Sequence, residues 1–63
     1  MIIKINARLS QDVICKRLDQ DKILYKKIKT GIKILTETEI PVKVKHYIQG
    51  VLQVDQRRPK DLR

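Results

Sequence analysis

Lys4, Asn6 and Arg8 stand two residues apart in the stretch KINARLSQDV, residues 4–13. Arg and Lys donate well to O6 and N7 of guanine, and Asn bonds N6 and N7 of adenine, so this set is suited to reading base edges in a major groove. A period of two puts the three on one face of a strand and Ile3, Ile5, Ala7 and Leu9 on the other. A second set is purely cationic. Lys26, Lys27 and Lys29 lie in a stretch from Lys22 to Lys33 that contains no acid, and Arg57 and Arg58 lie in a charge-dense C-terminal end. Such groups attract phosphates whatever the sequence of the bases. The plainer alternative for both sets is the solvated face of a strand or a helix.

Composition narrows the chemistry. Fifteen Lys and Arg against seven Asp and Glu give a net charge of +8 in 63 residues, a positive field that draws polyanions. With two Tyr and no Phe or Trp, the chain lacks the stacking platforms that hold single strands, which favours duplex DNA as the partner. Cys15 is the only cysteine and His46 the only histidine, so neither a disulfide within the chain nor a metal cluster or cofactor site of recognisable spacing is expected. His46 has no nucleophile or acid partner in any known catalytic spacing, and no reaction is implied. No apolar run is long enough for a membrane span or a signal-peptide core, so a cytoplasmic protein is expected. A chain this short buries too little surface to be comfortably stable alone, which points to a partner subunit.

The elements that would position these residues follow from periodicity. The alternation from Ile3 to Leu9 predicts a strand; Ser10 is suited to an N-cap, and Asp12 stands in the turn that follows. From Val13 a helical arc collects Ile14, Leu18, Leu24, Tyr25, Ile28, Ile32 and Leu35, with Ile23 and Ile34 off it. The first helix is expected to end near Thr30, because Gly31 is a weak point, leaving GIKIL as connector. The rival reading of KIKTGIKIL is a β-hairpin turning at Thr30-Gly31. A second helix is predicted with Thr38 as N-cap and Pro41 in its first turn, carrying Val44, Tyr47, Ile48, Val51, Leu52 and Val54 on one side. Residues 1–55 then form one domain and 56–63 a frayed basic tail.

The expected fold is therefore α+β and mainly helical, a strand followed by two helices (β-α-α). One strand cannot satisfy its own backbone, so two copies would pair their N-terminal strands across a twofold axis. The segment KINARLSQDV resembles the start of the ribbon-helix-helix repressors, the Arc and Met repressor family. The resemblance implies a homodimeric β-ribbon in which Lys4, Asn6 and Arg8 read bases and the start of the second helix, at Thr38, approaches phosphates. The function expected is a small DNA-binding transcriptional regulator. The alternatives are a phage- or plasmid-type adaptor that inhibits a host protein, and, if the hairpin and IPVKVKHYI are β, a small β-sheet nucleic-acid binder.

Overall fold

The backbone of the first helix closes at Asp21, and that closure decides the architecture. Lys22 takes a left-handed conformation (φ 57°); its N–H donates to Asp19 O at 3.1 Å and that of Ile23 to Leu18 O at 2.9 Å. This pair of bonds is a Schellman stop, sealed by Ile23 and Leu18, both in the core. The computed structural model describes residues 1–36 and 40–62. Its elements in chain order are β1 (Ile2–Lys4), α1 (Arg8–Gln20), β2 (Tyr25–Ile28), β3 (Gly31–Ile34) and α2 (Val42–Asp55).

This β-α-β-β-α order replaces the expected β-α-α arrangement. The segment assigned to the end of the first helix and its connector is a two-strand hairpin, as in the rival reading. The reason lies in Ile23 and Ile34, which fall off the helical arc but are buried, whereas Leu24 and Leu35, on the arc, are 69% and 48% exposed. Only a strand period buries the first pair and exposes the second. The hairpin turns at Lys29-Thr30 without a positive φ there, and Gly31 takes the unusual backbone at φ 155°. A Cβ on Gly31 would overlap the Ile3 carbonyl oxygen, so the neighbouring strand also demands glycine.

The ribbon formed by dimerisation is corrected by the same hairpin. β1 pairs antiparallel with β3 of its own chain (Ile2↔Lys33, Ile3↔Ile32, Lys4↔Gly31), and β3 pairs with β2, so the sheet order is β1-β3-β2. One side of β1 is thereby paired within the chain, by β3, and β1 forms an edge of the sheet. Ile34 N also donates to Met1 O at 2.8 Å and Ile5 N to Thr30 O at 2.9 Å.

The strand ends at Lys4, well before Leu9, because the carboxylate of Asp55 captures the chain at Asn6. It accepts from Asn6 N at 2.6 Å and Ala7 N at 2.8 Å, and Asp61 accepts from Arg8 N at 2.7 Å. Ala7 N–H and Arg8 N–H are among the donors at the start of α1 that the helix itself leaves unpaired, and these acids satisfy them from outside the helix. Ser10, expected as the N-cap, is buried inside α1, and Leu9 is exposed. Pro41 occupies the N-cap position of α2; Thr38, expected there, lies outside the described residues with Glu37 and Glu39.

Both helices cover one side of the sheet. Ile3, Ile32 and Ile34 join Ile14, Leu18, Val44 and Ile48 in a single core. Gln11 of α1, buried, donates through Nε2 to Gly31 O at 2.7 Å and Ile28 O at 3.3 Å, locking the helix to the hairpin end.

Candidate nucleic-acid interface on the open sheet face

Residues of alternate parity point to the side of the sheet that carries no helix. The pairings place Ile2, Lys33 and Lys26 in one row across the three strands, with Lys4, Gly31 and Ile28 in the next. Lys4, Lys26 and Lys33 are all exposed. From strand and residue spacing, the backbone positions of Lys4 and Lys26 are roughly 12 Å apart, with Lys33 between their strands. Beyond this row Leu35 N donates to Leu24 O at 2.9 Å, so exposed Leu24 and Leu35, with Ile2, form an apolar border to the cationic patch.

No described carboxylate neutralises that patch. Asp12 meets Lys27 Nζ at 3.4 Å, Asp21 meets Arg17 Nε at 2.9 Å, and Asp19 accepts from the Tyr25 hydroxyl at 3.0 Å. Asp55 and Asp61 are bound at the start of α1. The other acids of the chain, Glu37 and Glu39, lie outside the described residues. Lys26 and Lys33 are direct cross-strand partners, and like charges so placed oppose pairing of the strands.

The inner face of the β2 edge has the opposite character. There Tyr25 and Lys27 are tied to α1 through Asp19 and Asp12. Loss of water around the ring, and then the bond to Asp19, push the Tyr25 phenol up to about 12, so it acts as a neutral donor. Burial likewise raises the Cys15 thiol, leaving a packed, unactivated sulfur.

The residues singled out in the sequence are thus separated. Lys4 and Lys26 share the open face, and Lys29 stands exposed in the turn beside it. Lys27 belongs to the opposite face. Asn6 is half-buried, its Nδ2 donating to Asp55 O at 3.3 Å, and Arg8 opens α1, so neither shares the strand face of Lys4. Arg57 is exposed just after α2, and Arg58 lines a groove between the helices. Asp61 N and Leu62 N donate to Asn6 O at 2.8 and 3.2 Å, folding this end of the chain against the start of α1. Lys33, expected in the GIKIL connector, joins Lys4 and Lys26 on this face; the alternation Ile32-Lys33-Ile34 is the sequence signal for that placement.

Among the described residues no helix is long and apolar enough to cross a membrane. Comparison of the chain with protein-family models, with curated proteins and with solved structures finds no match.

Proposed function

We propose that this protein binds duplex DNA in the cytoplasm by laying the open face of its three-stranded sheet on the phosphate backbone, with Lys4, Lys26 and Lys33 as the principal contacts. The observation that carries the reading is the Lys26↔Lys33 pair. Its repulsion costs the fold on the order of 0.2 to 1 kcal/mol, and every described acid is engaged elsewhere, so a phosphate arriving from outside is the natural counter-charge. The face carries no aromatic ring to stack on a base, which favours a duplex over a single strand. Contacts of this kind give affinity and orientation without base discrimination. Any regulatory effect would come from occupancy of DNA, and no reaction is part of this reading.

Fluorescence anisotropy with a mixed-sequence duplex tests it. Replacing Lys4, Lys26 and Lys33 together by Gln should reduce the slope of log affinity against log salt by roughly 2 to 3. The charge-matched control, Lys16, Lys43 and Lys45 to Gln, should retain most of the binding. Equal losses in the two variants would show that only net charge matters and would remove the sheet face as the site.

The adaptor reading draws on a different observation: Ile2, Leu24 and Leu35 give the same face an exposed apolar border, which suits an acidic protein surface. In that case affinity for the duplex would be weak at physiological salt and insensitive to which lysines are removed.

A further inference from the structure

The side of the helix layer turned away from the sheet holds a groove of about 470 Å³ between α1 and α2. Its apolar walls come from Leu9 and Val13 of α1 and Tyr47, Val51 and Val54 of α2. Leu9, Tyr47 and Val54 are 56%, 41% and 53% exposed, a concentration of apolar surface in a small chain that marks contact sites.

Gly50 forms part of the floor. It sits in the middle of α2 with no left-handed backbone, and a Cβ there would meet nothing within 4 Å. Glycine in a helix interior costs about 1 kcal/mol relative to alanine, and no contact within the described chain requires it. Its effect is to keep the floor open to a side chain from outside.

Charge identifies the occupant. Arg58, half-buried, lines one end of the groove. At the other end the lining continues past Tyr47 to Lys16 and Arg17; Arg17 lies over the Tyr47 ring, 5.3 Å from its centroid, and is paired with Asp21, while Lys16 is exposed. No Asp or Glu lines either part. A second copy of a chain of charge +8 would bring cations to cations.

We infer that the groove between α1 and α2 docks an amphipathic helix of a partner protein whose apolar stripe is flanked at both ends by carboxylates. From Leu9 to Arg17 the α1 wall runs roughly 12 Å, about two helical turns, which accommodates side chains at i, i+3 or i+4, and i+7 of a third helix. A concave floor fits a helix ridge better than it fits a flat lipid surface. The site is on the other side of the molecule from the lysine face and does not depend on its function.

The probe is a synthetic helical peptide with leucines at i, i+3, i+4 and i+7 and glutamates at both ends, added to the isotope-labelled protein and followed by amide chemical shifts. Shifts should concentrate at Leu9, Val13, Tyr47, Gly50, Val51 and Val54. A peptide with lysines in place of the glutamates should bind at least about tenfold more weakly. Gly50→Leu, which fills the floor without disturbing the core, should abolish binding while the melting temperature holds or rises, and Arg58→Gln should weaken binding about five- to tenfold. Absence of these shifts, equal binding of the lysine peptide, or unchanged affinity in Gly50→Leu overturns the inference. So does self-association of the protein through the same residues, or binding to anionic phosphatidylglycerol vesicles that requires Leu9 and Val54.

Discussion

Asp55 ties the last turn of α2 to the chain ahead of α1. It is 2% exposed and accepts from two backbone N–H groups forty-eight and forty-nine residues earlier in the chain. The carboxylate closes the open end of α1, where a negative charge also meets the positive end of the helix dipole. Removing it leaves two donors without an acceptor, one of them buried, so Asp55→Ala should lower unfolding free energy by about 2 to 4 kcal/mol. Asp55→Asn keeps one acceptor oxygen and should cost about half as much. Urea unfolding followed by far-ultraviolet circular dichroism measures both; equal and small losses would mean that the start of α1 is satisfied by water. In the sequence Asp55 is merely the first acid of a charged end. Nothing local links it to Asn6, and this is why Asn6 was legible as a polar strand residue and not as part of a cap.

Two backbone positions set the boundaries of the elements, and glycine should act at them with opposite sign. Lys22 holds a left-handed conformation that costs an L-residue about 1 kcal/mol, so Lys22→Gly should raise stability by about 0.5 to 1 kcal/mol. Gly31 holds a conformation and a close approach to Ile3 that no Cβ tolerates, so Gly31→Ala should lower stability by more than about 1 kcal/mol and weaken the β1–β3 ladder. Thermal melts and amide exchange at Ile3 and Ile34 distinguish these outcomes. The sequence showed Gly31 as a breaker and allowed a hairpin around it, and the core role of Ile3, Ile5 and Ala7 was readable from alternation. The stop at Lys22 was not readable, because a lysine in the left-handed region has no compositional signature. With that stop unseen, a helical period ran on through residues whose burial follows a strand period.

At the scale of the molecule, the two layers divide the charge. The helix side uses its acids internally, and the open sheet face keeps lysines without partners among the described residues. This division explains why only part of the candidate site was legible: Lys4 and Lys26 stand out by composition, but Lys33 joins them only once β3 lies between β1 and β2, and Lys27 leaves them for Asp12. Under the proposed function it would make stability and binding pull in opposite directions, which a solvated face of no function would not do. Lys33→Glu turns the like-charge pair with Lys26 into an opposite one and should raise unfolding free energy by about 0.5 kcal/mol. The same change puts a carboxylate at the centre of the proposed phosphate-binding face and should weaken duplex affinity by about tenfold or more at moderate salt. Lys45→Glu, exposed on α2, changes net charge by the same amount and should move neither quantity as far. Urea unfolding and duplex titration on the same samples decide the matter: a Lys33→Glu protein that is more stable and binds poorly supports a face held ready for phosphate. One that is less stable, or that binds as well as the Lys45→Glu protein, would return Lys33 to the solvated surface.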